Sequence, residues 1–184
     1  MRIFISVELP DEIKNKIAKL IEKLKKTDAK VKWVKPENLH ITLKFLGWVD
    51  DSKIDEIINL TTKAAAQTKS FKAKFVSIGS FPEGRKPRVV WVGTAEGGDE
   101  LCSIAQALEE TFGKAGYKTE TRAFKSHITI GRVKESKVLD KLVKEISGLK
   151  STAFGEMSVN SINIMKSTLR RDGPIYEILK GVKL

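Results

Sequence analysis

Cysteine is nearly absent. Cys102 stands alone among 184 residues, so no disulfide can form within the chain, and a reducing, cytoplasmic setting is expected. Histidine is almost as scarce, with only His40 and His127. One cysteine and two histidines cannot fill a His/Cys zinc set at the usual spacing, so no metal or other cofactor is expected. Long apolar runs are missing as well. The opening stretch "MRIFISVELPDEIKNK" turns charged after a few apolar residues, and no window approaches the roughly 18–20 apolar residues of a membrane span. No membrane partner is expected, and the mature chain is expected to begin at or near Met1. There is no Ser/Gly/Pro-rich linker, so residues 1–184 read as one unit, either a single domain or two closely packed lobes.

Acidic residues are in deficit: 34 Lys+Arg against 23 Asp+Glu leave a net charge of +11. Such a surface attracts phosphate-bearing partners, above all nucleic acid and nucleotides. Abundant Lys and Glu with glutamine only at Gln67 and Gln106 also fits adaptation to high temperature. That reading accounts for many surface lysines but not for the net excess.

The apolar pattern alternates between periods. "RIFISVEL" reads as a strand ending at Pro10, and Asp11 is placed to cap a helix carrying Ile13, Ile17, Leu20, Ile21 and Leu24 at three- and four-residue spacing. "VKWV" and "LHITLKFLG" read as strands, followed by a helix over "SKIDEIINLTTKAAA". Two strands, "FKAKFVSIGSF" and "RVVWVGT", flank the basic loop "PEGRKP", and a helix over "GDELCSIAQALEETFGKAG" follows. The last third gives a strand "SHITIGRV", a helix "SKVLDKLVKEIS", a β-rich run "FGEMSVNSINIMKS", a turn at "RRDGP" and a final strand. Trp33, Trp48 and Trp91 sit in or beside strands and are expected to pack in the core.

Both histidines belong to one kind of tetrad, His40-Ile-Thr-Leu and His127-Ile-Thr-Ile, and each tetrad is followed by a similar helix, "SKIDEII" or "SKVLDKL". An ancient duplication about a pseudo-twofold axis explains both features and sets the two tetrads face to face across a cleft. On a strand, alternation puts His40 and Thr42 on one face and Ile41 and Leu43 on the other, and the same holds for His127 and Thr129. Two imidazoles and two hydroxyls then share one small volume. Cleaving a phosphodiester needs a base, an acid and donors to the non-bridging oxygens, and this set supplies all of them without metal. A lone His-x-Thr is commonly a half-buried structural histidine. Two copies that use up every histidine of the chain argue for a shared active site.

Paired tetrads of this kind, some eighty to ninety residues apart in a small α+β chain, resemble the two-histidine phosphoesterase superfamily. "MRIFISVELP", "HITLKFLGWVD" and "FKSHITIGR" resemble, within it, the bacterial and archaeal RNA 2′,3′-cyclic phosphodiesterases, formerly called 2′-5′ RNA ligases. The likeness spans nearly the whole chain. It implies an α+β, bilobal fold of two antiparallel-rich β-sheets related by a pseudo-twofold axis, with helices on the outer faces and the active site in the central groove. It also implies metal-free hydrolysis of an RNA terminal 2′,3′-cyclic phosphate to a 2′-phosphomonoester. The family roles give His40 as proton donor, His127 as proton acceptor, and Thr42 and Thr129 as phosphate-binding hydroxyls; the residues alone leave open which histidine is the acid.

Phe45 and Arg132 each lie five residues after a tetrad histidine, equivalent points on opposite sides of the cleft, where a ring and a guanidinium can sandwich a nucleobase. Simple alternation puts both on the face away from the histidines; core packing of Phe45 and a phosphate contact for Arg132 are the rival readings. Arg85, with Lys86 and Arg88, is a further candidate for RNA binding at the groove mouth, with solvated surface charge as its alternative. Two other functions compete: a 2′-5′ RNA ligase joining a 2′,3′-cyclic end to a 5′-hydroxyl, and a non-catalytic RNA-binding module. The natural RNA stays open among tRNA fragments, mRNA ends and free cyclic nucleotides, and a monomer is expected.

Overall fold

The computed structural model describes residues 1–135 and 139–184. The elements follow in the order β1 (Arg2–Glu8), α1 (Asp11–Lys25), β2 (Val31–Trp33), β3 (His40–Trp48), α2 (Ile54–Ala65), β4 (Phe71–Phe81), β5 (Val89–Glu96), α3 (Gly98–Lys114), β6 (His127–Val133), α4 (Asp140–Gly148), β7 (Ala153–Val159), β8 (Ser161–Arg170) and β9 (Gly173–Lys183). The first part of the helix expected over "SKVLDKLVKEIS", residues 136–138, lies outside the described residues.

Among the described residues the strands form one sheet, in the order β7-β4-β5-β6-β3-β1-β8-β9, with β2 added on β6. It falls into two halves. One lobe holds β3, β1, β8 and β9, and the other holds β6, β5, β4 and β7; Ile41 and Ile128 form the Cα pair that joins β3 to β6. The two sheets expected from the sequence are therefore halves of a single hydrogen-bonded array.

Strand exchange ties the lobes together. β4 follows α2 in the chain yet pairs with β5 and β7 in the second lobe, and β8, from the end of the chain, returns to pair with β1 in the first. The β-rich run read as one piece over 154–167 is two strands. It divides at Asn160, and its halves enter different lobes.

The helices cover the outer face because their apolar stripes have no other burial. α1 and α4 contact β7 and β4, while α2 and α3 contact β9 and β3, so each lobe is roofed by one helix from each half of the chain. Ile13, Ile17, Leu24, Leu101, Ile104, Leu108 and Phe112 are fully or nearly fully buried there, against Ile3, Ile5, Ile41 and Ile128 from the strands. Truncating any one large member of this cluster to Ala should cost about 2–5 kcal/mol, a transfer loss plus an unfilled cavity. Asp11 does not cap α1: it is the first helical residue, with no side-chain capping bond at Pro10. Its carboxylate, with that of Glu12, instead faces the positive end of the helix dipole.

Candidate active site

His40 opens β3 and His127 opens β6. Ile41 and Ile128 are the second residues of their tetrads and pair with each other antiparallel, so the local twofold passes between them. Antiparallel register then sets His40 across the seam from Thr129, and Thr42 from His127. The pseudo-symmetry expected from the repeated tetrads is present at the level of single side chains. A cavity of about 90 Å³ lies on the concave side of this seam, lined by Asn38, His40, Thr42, Phe45, His127, Thr129, Arg132, Tyr176 and Val34.

Each imidazole is held by the same device. His40 Nδ1 lies 2.7 Å from the carbonyl oxygen of Asn38, and His127 Nδ1 lies 2.6 Å from that of Lys125, in both cases the residue two positions earlier. A carbonyl oxygen only accepts, so both rings donate from Nδ1–H, and Nε2 is left for proton transfer. In neutral His40, Nε2 accepts from the Thr42 hydroxyl at 3.0 Å. The rings are also packed by aromatics: Phe4 at 5.0 Å and Tyr176 at 5.2 Å from His40, and Phe81 at 5.2 Å, edge to face, from His127.

The two histidines share one dominant influence and differ in the charges beside them. Burial holds both below the usual imidazole range, since a low-dielectric surround disfavours the cation. For His40 this is opposed by the hydrogen bond to Asn38 and by the carboxylate of Glu8, with Lys14 pressing it down further. For His127 the hydrogen bond to Lys125 opposes burial, and the guanidinium of Arg132 lowers it further. A carboxylate beside His40 favours its protonated form, and a guanidinium beside His127 favours its neutral form.

Phe45 and Arg132 both reach the cavity, and β-bulges are the reason. In β3, Ile5 faces Lys44 and Ser6 faces Thr42, so Leu43 has no partner on β1. In β6, Val90 faces Gly131 and Trp91 faces Thr129, so Ile130 has none on β5. One extra residue in each strand resets the alternation, turning Phe45 and Arg132 back to the face of the histidines. Phe45 is half exposed, at 50%, which rules out core packing. A second cavity of about 590 Å³ adjoins the first and shares Thr42, Phe45, His127, Thr129 and Arg132 with it, continuing to Arg122, Lys125 and the flank of α3 at Gln106 and Glu109.

Lys44, next to the bulge at Leu43, ties that cavity together. Its side chain is fully buried and meets the Glu109 carboxylate of α3 at 2.7 Å, and its ammonium donates to the carbonyl of Lys118 at 3.2 Å. The same Glu109 oxygen accepts the backbone N–H of Glu120 at 3.1 Å. Strand β3, helix α3 and the segment leading into His127 are thus fastened at one buried point.

Arg85, Lys86 and Arg88 stand exposed on the loop between β4 and β5 and are not among the residues that line the cavities at His40 and His127; Arg122 and Lys125 supply basic groups beside His127. Trp48 departs from expectation. It is 77% exposed, not packed in the core. Sequence reasoning missed Asn38, two residues before His40, and Tyr176, Phe4 and Phe81, which arrive through the fold and carry no local motif; one available hint was that Tyr176 is one of two tyrosines in the chain.

The profile described as LigT like Phosphoesterase matches this chain twice, over residues 7–91 and 92–176, one match for each tetrad. An RNA 2′,3′-cyclic phosphodiesterase of Methanocaldococcus jannaschii is 40% identical over 180 residues, covering 98% of this chain and 99% of the relative. One of the same name from Archaeoglobus fulgidus is 39% identical over 182 residues, covering 98% of each. Among solved structures, one from Thermus thermophilus matches with a TM-score of 0.80 at 25% identity, covering 100% of this chain and 98% of the other. Escherichia coli LigT complexed with 3′-AMP matches at 0.77 and 25% identity, covering 100% and 97%.

Proposed function

Because this chain belongs to the LigT-like phosphoesterase family, we propose that it hydrolyses the 2′,3′-cyclic phosphate at the 3′ end of RNA to a 2′-phosphomonoester, by a two-histidine acid/base mechanism without metal. The observation that carries the proposal is the meeting of both tetrads at Ile41 and Ile128, with two imidazoles of fixed tautomer lining one 90 Å³ cavity. The cavity accommodates a phosphate group flanked by both rings. The names of the relatives supply the substrate class.

In the proposed reaction the phosphorus lies between the two Nε2 atoms. His127, kept neutral by burial and by Arg132, takes a proton from water as its oxygen bonds to phosphorus. His40, whose cation Glu8 favours, gives its Nε2 proton to the 3′-oxygen as the bond from phosphorus to that oxygen breaks. Thr42 and Thr129 donate to the non-bridging oxygens, where negative charge builds up in the transition state. The guanidinium of Arg132 and the ring of Phe45 flank the terminal nucleobase. After one turnover His40 is neutral and His127 is cationic, and exchange of one proton with solvent at each ring restores the starting state.

The deciding experiment offers a short RNA ending in a 2′,3′-cyclic phosphate, together with a 5′-hydroxyl RNA, in the presence of chelator. A 2′-phosphate product is expected. A 3′-phosphate overturns the assignment of the leaving oxygen, dominant joining of the two RNAs replaces hydrolysis by ligation, and a strict metal requirement sinks the mechanism.

A further inference from the structure

The concave face of the first lobe does not end at the histidine cavity. Cross-strand partners share a face, and Phe45 is paired with Phe4 while Trp48 is paired with Arg2. Phe4 in turn touches the ring of His40 at 5.0 Å, which places Trp48 and Arg2 on the same surface as the catalytic groups. Leu46, between Phe45 and Gly47, lacks a partner on β1, so a second bulge keeps Trp48 on that face. Arg2 also lies near enough to Tyr176, in the wall of the cavity, to act on its phenol electrostatically.

Trp48 is the most exposed of the large apolar side chains, at 77%. A large aromatic left in water on an active-site face is a contact surface without its ligand, since such rings dominate binding energetics when covered. No carboxylate among the described residues forms an ion pair with Arg2. The patch therefore combines a π face and a guanidinium free for an anion, the pairing that binds single-stranded nucleic acid without reading sequence.

We infer that Trp48 and Arg2 form a binding site for the nucleotide immediately 5′ of the terminal one, Trp48 stacking on its base and Arg2 meeting the adjoining phosphate. The inference rests on the proposed function. Phe45 and Trp48 face Phe4 and Arg2, two residues apart on β1, about 7 Å along the strand, so the two rings offer separate places to successive bases. The terminal base occupies Phe45 and its 5′ neighbour occupies Trp48, so the enzyme prefers RNA ends to free cyclic mononucleotides. A protein partner on this face would have no reason to lie in line with the phosphate cavity beside an unpaired guanidinium.

The test compares kcat and KM of the wild type, Trp48→Ala and Trp48→Phe on adenosine 2′,3′-cyclic phosphate and on a single-stranded tetranucleotide with the same end. Trp48→Ala should raise KM for the tetranucleotide roughly tenfold, the scale of one lost base stack, with kcat and both mononucleotide constants unchanged; Trp48→Phe should restore most of the loss. Equal KM values for wild type and Trp48→Ala on the tetranucleotide overturn the inference, as does a parallel rise on both substrates. If the wild type turns over neither substrate, the proposed function fails separately, and fluorescence anisotropy of the labelled tetranucleotide decides the site alone. Weakened binding by Trp48→Ala supports it, and unchanged binding overturns it.

Discussion

Lys44 and Glu109 meet at 2.7 Å with the lysine side chain wholly out of water and the glutamate one quarter exposed. The asymmetry predicts unequal variants. Glu109→Gln strands a buried ammonium and should cost about 3–5 kcal/mol. Lys44→Met removes the buried charge and leaves a carboxylate that water can reach, and should cost less. Urea denaturation of the two variants checks the order.

His40→Ala and His127→Ala should each lower turnover by at least about 10²–10⁴, the usual contribution of a general acid or base, while RNA binding is largely retained. Unchanged turnover in either would leave a binding module in place of an enzyme.

Thr129→Val keeps the shape of a β-branched side chain and deletes one hydroxyl from the cavity wall. Removal of a single donor to transition-state charge costs about 10²–10³ in kcat. The same substitution at Thr42 should do more to the free enzyme, because that hydroxyl also bonds Nε2 of His40.

The pH profile should be bell-shaped. His127 must be neutral, so activity rises as pH climbs through its value; His40 must be protonated, so activity falls as pH climbs through its own. Burial lowers both from 6.5, which puts the optimum of kcat/KM on the acid side of that value. Glu8→Gln removes the carboxylate that favours the His40 cation, and should move the basic limb to lower pH. Stability follows the same shifts. The folded state binds fewer protons than the unfolded chain at these two sites, so their contribution is fully present above pH 6.5 and is lost as pH falls through the lowered values. Melting temperatures across pH 5–7, against His40→Ala, read this out.

Chelation should leave turnover unchanged. The acid, the base and the phosphate donors assigned to the reaction are all side chains of this chain, and an assay after exhaustive treatment with EDTA tests that assignment.

The facing of each tetrad was legible because side chains on a strand alternate with period two, and that period is visible in a single sequence. Phe45 and Arg132 could be named from their shared offset but not assigned a face, since one unpaired residue, Leu43 or Ile130, reverses every later side chain and leaves no mark in composition. The division of the β-rich run at Asn160 was hidden for a related reason. Both halves are good strands, and only their partners differ. Tyr176 and Phe4 reach His40 from β9 and β1, distances in sequence that no local pattern spans. Electrostatic inequality between the histidines was likewise out of reach, because Glu8 comes from β1 while Arg132 follows His127 on its own strand.

The exchange of β4 and β8 between lobes has a historical consequence. A polypeptide with only one of the two repeats would lack the strand that completes its own sheet, and two copies trading that strand would complete each other as a self-complementary dimer. In such a dimer both imidazoles would be chemically identical and would titrate together. Two copies joined end to end can each change alone, and a Glu beside one ring with an Arg beside the other is the kind of difference that a dimer of identical chains cannot hold.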